Sequence, residues 1–367
     1  MKGALLAFAL VILAIATSGP ASALPRFSSR TGARCASCHV DPAGSGMRQA
    51  FGMKYGRDEL PVPAWSTDTG MEDASNLITN FLGVGADFRT LYYSVQQPEG
   101  PPAGSFYQMQ GDLYVDFRVS RKVSVYLNKG LYSGFQAFGL LNILPARGFV
   151  KVGKFVPNFG TRLDDHTAFI RRQTGFTPED ASNRYEKTGI ELGFSPGPVS
   201  ISGGFYNSLG DDSQAGTDKA YLGRIEGMFP ITDGVNLGLG GNVFATKTTL
   251  GGKETLYGGF GSCSIGKLTV FGELDYIRTS DAAAPTTGLV SYVEADYPVI
   301  QGIDLKLAYD FYDPDINVTS GSTSRYTVGL EFFPIQGVEV RPLYRFVRET
   351  PTESKNDEFD VVIHFYI

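Results

Sequence analysis

The sequence predicts an all-β protein, a transmembrane antiparallel β-barrel of about sixteen strands. Three observations predict this class. Residues 76–367 repeatedly alternate apolar and polar side chains, with one face rich in Tyr and Phe and the other in Asp, Glu, Arg, Lys, Gln and Gly. The links between these stretches alternate between short and long. No segment of this region has a helical period or an apolar run of 18 residues.

Residues 1–23 read as an export signal. Lys2 is followed by an apolar run over residues 4–16, and Ala21-Ser22-Ala23 fits a cleavage site. Removing this segment takes one Lys from 32 Lys+Arg and no acid from 38 Asp+Glu, which leaves 31 against 38, a net charge of −7. An acidic exported chain is poorly suited to nucleic acid, so we expect no such partner.

Residues 24–75 form a small leader built around Cys35-Ala36-Ser37-Cys38-His39. This C-x-x-C-H motif is typical of c-type haem attachment: Cys35 and Cys38 would form thioethers, and His39 would be an axial ligand of the iron. A redox cysteine pair or half a zinc site are the alternatives, although the third cysteine, Cys263, is distant and alone. Because so short a segment cannot bury a core by itself, we expect it to lean on the barrel, as a plug in the lumen.

The alternation is clearest over residues 107–119. Leu113, Val115 and Phe117 fall on one face of this predicted strand, and Asp112 and Asp116 on the other. The last strand, 359–367, alternates in the same way. Only a closed sheet can present such strands to lipid, because each backbone group needs a partner there. Outer-membrane lipid is therefore an expected partner, and oligomer formation is left open.

Connection lengths give an independent test of the barrel. Short turns alternate with longer loops, as expected for periplasmic turns and outer loops. An even strand number places both termini in the periplasm. We therefore expect the haem segment on the periplasmic side or in the lumen of a barrel in the outer membrane. The expected strand starts lie near residues 77, 106, 123, 135, 148, 186, 198, 218, 234, 254, 267, 286, 302, 323, 337 and 357.

The longest link, 157–185, is too apolar for a floppy tail, and loops of this length are often functional. Together with the preceding residues 152–160, it resembles the third loop of trimeric and phosphate-type porins, which folds into the lumen. That resemblance implies that Asp164, Asp165, Arg171 and Arg172 line a constriction. The alternative is a lid on the rim, with these charges in water.

The second axial ligand is open at this stage. His166 completes the haem if the loop folds inward, and it is our leading hypothesis. His364, on the lumen side of the last strand, is an alternative, as are Met53 and Met71, whereas Met47 is too near His39 to cross the ring easily. An iron with no protein ligand on that side is the remaining option.

The whole chain also resembles barrel-type monohaem c-cytochromes of metal-reducing bacteria. The matching parts are Pro25-Arg26-Phe27, the C-x-x-C-H motif with Thr31-Gly32 before it, Asp41-Pro42-x-Gly44-x-Gly46, and Asp165-His166-Thr167. The chain departs from many outer-membrane barrels in ending with Ile367 rather than Phe.

The resemblance implies one covalent haem c, electron transfer rather than substrate conversion by an enzyme, and multihaem cytochromes in the periplasm or at the outer surface as partners. A diffusion porin with a structural haem, in which Lys151, Arg171 and Arg172 favour anions, is the second hypothesis. A soluble periplasmic β-protein is the third, and an enzyme such as a peroxidase is a distant fourth.

Overall fold

A computed structural model describes residues 26–67, 69–71, 74–131, 134–176, 186–208, 218–247, 252–280 and 284–367. The predicted export signal, 1–23, and the second part of the long loop, 177–185, lie outside these ranges. Among the described helices, none has the length and apolar character needed to cross a membrane.

The described residues contain seventeen strands in one antiparallel sheet. Each strand from β2 onward pairs with its neighbours in sequence, and β17 pairs back with β2, so sixteen strands close into a barrel. The predicted fold class is confirmed. The strands are β1 (Leu77–Thr79), β2 (Leu82–Val95), β3 (Ala103–Arg118), β4 (Val123–Gly130), β5 (Phe135–Leu144), β6 (Gly148–Phe155), β7 (Lys187–Phe194), β8 (Val199–Asn207), β9 (Lys219–Thr232), β10 (Val235–Lys247), β11 (Lys253–Ile265), β12 (Leu268–Ser280), β13 (Pro285–Ile300), β14 (Ile303–Asp313), β15 (Thr323–Phe332), β16 (Val338–Glu349) and β17 (Glu358–Tyr366).

The first predicted strand differs from the structure. The sequence pattern suggests one strand from residue 77, but a turn at Asn80 and Phe81 divides it into the short β1 and the longer β2. The two pieces pair with each other through Leu77 and Gly83, so β1 is an additional strand at the margin of the barrel.

The alternation along each strand separates an apolar outside from a charged inside. On β3, Leu113 and Phe117 are 52% and 45% exposed, whereas Asp112, Tyr114 and Asp116 are buried. Successive side chains of a strand point to opposite faces of the sheet. The outward face is therefore apolar and the lumen is polar, as the sequence predicts and as lipid on the outside requires.

Four short helices and one 3₁₀ turn complete the described structure. They are α1 (Arg26–Thr31), α2 (Cys35–Cys38), α3 (Ala50–Asp58), a 3₁₀ turn at Pro63–Trp65, and α4 (Phe169–Thr174). The first four of these elements belong to the leader, and α4 belongs to the long loop after β6. In the described part of the chain, strands form the barrel wall, and the helices lie in the leader and the long loop.

The leader lies inside the lumen, near the strand ends that the short turns join. Ser29 Oγ is 2.9 Å from Ser264 Oγ on β11, and Arg30 Nη1 donates to Asp304 Oδ2 on β14 at 2.7 Å. The backbone N–H of Met47 donates to its partner on β4, the Tyr126 hydroxyl, at 3.1 Å. Contacts with opposite parts of the wall place the segment across the mouth, as the plug hypothesis expects.

The first part of the long loop, residues 156–176, is here called loop L3, and it also folds inward. The backbone N–H groups of Gly160 and Thr161 donate to Asn242 Oδ1 at 2.9 Å and to Glu273 Oε2 at 2.6 Å. The backbone N–H of Phe169 donates to Asp310 Oδ1 at 2.7 Å. Loop L3 therefore spans from β10 to β14 within the lumen and is not a lid on the rim.

Candidate functional site

A cavity lies between the leader and loop L3. It holds about 1400 Å³ of empty space, including the part that opens to solvent. The residues around it come from three separate regions of the chain: Cys35, Cys38 and His39 from the leader, His166 from loop L3, and His364 from β17. The two proposed attachment points, Cys35 and Cys38, and all three histidines proposed as haem ligands thus meet at one cavity.

The two cysteines lie on the single helical turn α2. The backbone N–H of His39 donates to Cys35 O at 2.8 Å, which closes the turn and puts His39 directly after it. Cys35 is buried and Cys38 is half-buried. Burial raises the pKa of both thiols, so both are protonated near pH 7. The spacing of two residues is what brings both sulfurs to the same wall of the cavity.

The ring of His39 is held in a form that suits an iron ligand. Its Nδ1 is 3.2 Å from Gly46 O, and donation to that carbonyl leaves Nε2 as the nitrogen with the free lone pair. Burial, and next to it the positive charge of Arg48, lowers the pKa of His39 to about 4. The imidazole is therefore neutral near pH 7, and a metal ligand must be neutral to bind.

The turn after His39 is attached to the barrel wall by a buried ion pair. Lys151 Nζ on β6 lies 3.0 Å from Asp41 Oδ1 and 3.4 Å from Glu191 Oε1, and the lysine is fully buried. Lys151 also lies 4.1 Å from the ring centre of Phe155. The diffusion-porin hypothesis uses Lys151 to attract anions, but in the structure this lysine pairs with Asp41 of the leader.

Helix α3 packs directly on the haem-motif turn. A Cβ at Gly52 would lie 3.0 Å or less from three backbone atoms of Cys38, so the two backbones touch at this point. Gly56, one turn later, meets only the edge of the Tyr366 ring at 3.5 Å. The glycine at position 52 therefore fixes how closely α3 can support the C-x-x-C-H turn.

His166 reaches the cavity from loop L3 and is bonded to the wall. Arg89 Nη1 lies 2.9 Å from His166 Nε2, and since a guanidinium only donates, Nε2 is the acceptor. Arg89 also donates to Asp164 O at 2.7 Å. Binding of iron by Nε2 would thus require that Arg89 give up this hydrogen bond. The structure places His166 at the cavity with His39, and its iron ligation stays a prediction.

The alternative axial ligands are less well placed. His364 Nε2 is 3.0 Å from Asp87 Oδ1, and His364 Nδ1 is 2.9 Å from Glu339 Oε2, so carboxylates occupy both ring nitrogens. Among the described residues that line the cavity there is no methionine. Met53 and Met71 line a different, smaller pocket with Tyr366. This geometry favours His166 over the other candidates.

The rest of the cavity lining contains aromatic rings and arginines, together with the carboxylates of Asp87, Asp164, Glu294 and Glu339. Among the arginines, the Nε of Arg162 is buried without a hydrogen-bond partner among the described atoms. Burial lowers the pKa of Arg162. A haem offers an apolar ring and two propionates, so this lining suits it. The residues concerned are Phe27, Tyr55, Phe176, Phe271, Phe333, Arg48 and Arg162.

Of the four charged residues expected at a constriction, the two aspartates and Arg171 contact protein groups, and Arg172 is exposed. Asp164 Oδ2 lies 2.9 Å from Arg341 Nη1, and Asp165 Oδ2 lies 2.8 Å from Arg345 Nη2. Burial opposes the charge of Asp165, but the neighbouring arginines hold the pKa of its carboxyl well below the usual range. Arg171 is buried and donates to Leu163 O at 2.6 Å, whereas Arg172 is exposed. The two aspartates thus attach loop L3 to the wall.

Several residues of the site have no distinct signal in the sequence. Arg89, Arg341 and Arg345 are lumen-facing positions of ordinary alternating strands, and their partners lie in loop L3, far away along the chain. Arg48 stacks on the Tyr366 ring at 4.1 Å, a contact between the leader and the last strand. Only the strand alternation indicates that these side chains point inward.

A closed sixteen-stranded barrel with a loop folded into its lumen defines the porin-like class of outer-membrane β-barrel folds. Solved structures agree. An anion-selective porin from Comamonas acidovorans superposes with a TM-score of 0.59 over 78% of this chain and 99% of that chain, at 12% identity.

Two further structures show the same fold. OmpT, an outer membrane protein of Vibrio cholerae, gives a TM-score of 0.57 over 80% of this chain and 100% of its own, at 12% identity. The outer membrane channel DcaP of Acinetobacter baumannii gives 0.55 over 78% and 97%, at 11% identity. No protein-family model matches the sequence, and no curated protein matches it. The shared property is the porin-like barrel.

Replacing Lys151 by Met should loosen the leader. The change leaves the buried carboxylates of Asp41 and Glu191 without their cation, which costs about 3–5 kcal/mol. We expect the leader to become sensitive to limited proteolysis and the unfolding midpoint in denaturant to fall. Lys122→Met, at an exposed turn, is the control and should change neither measurement. Equal protease resistance of the Lys151→Met protein and the wild type would contradict the role given to this ion pair.

Proposed function

We propose that the chain is a c-type cytochrome built into a porin-like barrel of the outer membrane, which transfers electrons by means of one covalent haem in the lumen. The observation that carries the proposal is the cavity in which Cys35, Cys38, His39 and His166 meet. A haem supplies reversible one-electron exchange at its iron. We propose electron transfer without enzymatic conversion of a substrate, and we propose the outer membrane as the location of the protein.

The residues of the chain divide the work at this cavity. Cys35 and Cys38 would attach the haem, and His39, oriented by Gly46 O, would bind the iron from the leader side. His166 would bind it from the side of loop L3. Arg48 and Arg162 would receive propionates, since both line the cavity without a carboxylate ion pair in the described part of the chain.

The barrel contributes rigidity and exclusion of water. The leader is fixed to the wall through Asp41 and Lys151, and loop L3 is fixed through Asp164 and Asp165. Because both chain segments are fixed to the wall, the proposed haem ligands would move little when the iron changes oxidation state. Burial of a haem away from water also tunes its potential. A single haem in the lumen cannot bridge an apolar band about 25 Å tall, so partner electron carriers are part of the proposal.

The purified mature protein should contain covalent haem. We expect a Soret band that survives denaturation and acid–acetone extraction, together with haem staining of a membrane-fraction band whose mobility changes on heating. The Cys35→Ser/Cys38→Ser protein should lose the stain, because no thioether can form, while the Cys263→Ser control should keep it. A wild-type protein without Soret absorption would remove the basis of the electron-transfer proposal.

Replacing His166 by Ala should change the spin state of the iron. With His39 and His166 as its two ligands the haem would be low-spin, and loss of His166 would remove one of the two protein ligands. We expect high-spin bands in the visible spectrum and a shifted potential. His364→Gln, which keeps hydrogen-bonding capacity beside Asp87 and Glu339, is the matched control. Unchanged low-spin bands in the His166→Ala protein would exclude this ligand.

The second candidate function is a diffusion porin, favoured by the fold it shares with an anion-selective porin. The structure supports it less well, because Lys151 and Arg171 are buried and bonded to protein groups. In planar bilayers we expect the protein to pass much less current than that porin measured under the same conditions. Ohmic steps of comparable size and anion selectivity would instead favour diffusion.

A further inference from the structure

A second cavity opens at the short-turn end of the barrel, between the leader and the inner wall of β5–β9. It holds about 1880 Å³ of empty space, including its open part. Arg34 and Cys35 line both this cleft and the cavity between the leader and loop L3, so the α2 turn forms part of both walls. Whatever enters the cleft from the mouth comes directly against the proposed haem attachment.

The α2 turn presents small, exposed residues to this cleft. Ala36 and Ser37, the two residues between the cysteines, are exposed. Phe51, on helix α3 beside them, is 47% exposed and also lines the cleft. Electron exchange between two proteins depends on a close approach of their cofactors. The two small side chains permit this approach, and the aromatic ring adds an apolar contact next to it.

Arg147 lines the cleft, and two further cations lie at the turn next to it. Arg121 and Lys122 are exposed at the turn between β3 and β4, and Arg147 is exposed at the turn between β5 and β6. The rim is continuous: the N–H of Asn142, a cleft residue, donates to Lys122 O at 2.7 Å. Within the described part of the chain, none of the three cations makes an ion pair.

The cleft itself adds to this positive rim. Arg34 Nη2 donates to Gly197 O at 2.5 Å, which holds the guanidinium at the mouth beside the neighbouring turn. Burial, and next to it the charge of Arg147, lowers the pKa of Arg34 to about 10, so it stays charged near pH 7. The acid in the cleft, Glu226, is paired with Arg224 at 2.7 Å. The rim therefore keeps its positive charge.

The two ends of the barrel differ in charge. The short turns carry four bases and one acid, whereas the outer-loop segments 96–102, 313–322 and 349–358 carry seven acids and one base. The turn end is thus positive in a chain with a net charge of −6. The residues counted are Arg121, Lys122, Arg147 and Lys267 against Asp233 at the turns, and Glu99, Asp313, Asp315, Glu349, Glu353, Asp357 and Glu358 against Lys355 at the loops.

We propose that this cleft and its basic rim, formed by Arg34, Arg121, Lys122 and Arg147, are the docking surface for an acidic soluble electron-carrier protein. The inference rests on the proposed function and specifies its partner. Complementary charge orients the encounter and raises the association rate, while the exposed α2 turn gives the shortest route to the cofactor. A partner with a basic surface would be repelled by the same rim.

The test uses the full-length mature protein and one carrier in two charge forms: mitochondrial cytochrome c, which is basic, and the same protein succinylated on its lysines, which is acidic. The rim variant is Arg121→Glu/Lys122→Glu/Arg147→Glu. The matched control, Lys253→Glu/Arg348→Glu/Lys355→Glu, makes the same change of net charge at the opposite end. Stopped-flow absorbance measures the second-order electron-transfer rate at several ionic strengths.

We expect the rim variant to slow exchange with the acidic carrier roughly tenfold or more at low salt, to weaken the dependence on ionic strength, and to speed exchange with the basic carrier. The control variant should behave like the wild type. Equal slowing in both variants would indicate a net-charge effect, and unchanged rates would show that docking occurs elsewhere; either result overturns the proposal.

Two further measurements separate the remaining explanations. A rim variant that loses affinity for vesicles containing anionic phospholipid, with unchanged electron-transfer rates, would assign the rim to lipid headgroups and overturn the docking surface. A wild-type protein without covalent haem would instead overturn the proposed function, and docking with it. A normal Soret spectrum with charge-independent rates rejects docking alone.

Discussion

The structure depends on neutralising the charges that a sixteen-stranded barrel turns toward its own lumen. A buried charge without a partner costs several kcal/mol, and the inner wall carries many such groups. The leader and loop L3 supply some of the partners, and opposite charges within the wall supply others. Arg26 of the leader lies among Glu294, Asp296 and Glu331, and Lys306 on β14 pairs with two of the same acids. Removal of either inserted segment would take away part of this charge compensation, so the barrel and its contents depend on each other electrostatically.

This constraint also explains why the proposed haem site is held so firmly. The C-x-x-C-H motif proposed to attach the haem would be mobile on a leader too small for its own core. In the lumen it is clamped between the Asp41–Lys151 pair on one side and helix α3, through Gly52, on the other. Loop L3 approaches from the opposite direction and brings His166 to the same cavity. Two separate chain segments, each fixed to the wall, thus face each other across the cavity.

Porins and this chain share one fold. A porin-like barrel supplies a rigid wall and an inward loop, and neither determines what occupies the lumen. Here the acidic residues of loop L3 bind the arginines of β16 directly, and the leader fills the mouth below. The fold comparisons therefore support the barrel, while the functional proposal depends on the residues inside it. The two ends of the barrel also differ in charge.

The sequence by itself determined the local features. Alternation with period two predicted the strands, their inward and outward faces and the number of sixteen, because this pattern depends only on residues close together in the sequence. The motif Cys35-Ala36-Ser37-Cys38-His39 is local as well. The sequence pattern did not indicate the break at Asn80. It also left open which residue would be the second axial haem ligand, opposite His39. Only the tertiary structure decided that His166 shares a cavity with His39, that His364 is held between two carboxylates, and that Lys151 of β6 pairs with Asp41 of the leader. These contacts join residues from different parts of the chain, and closure of the barrel alone brings them together.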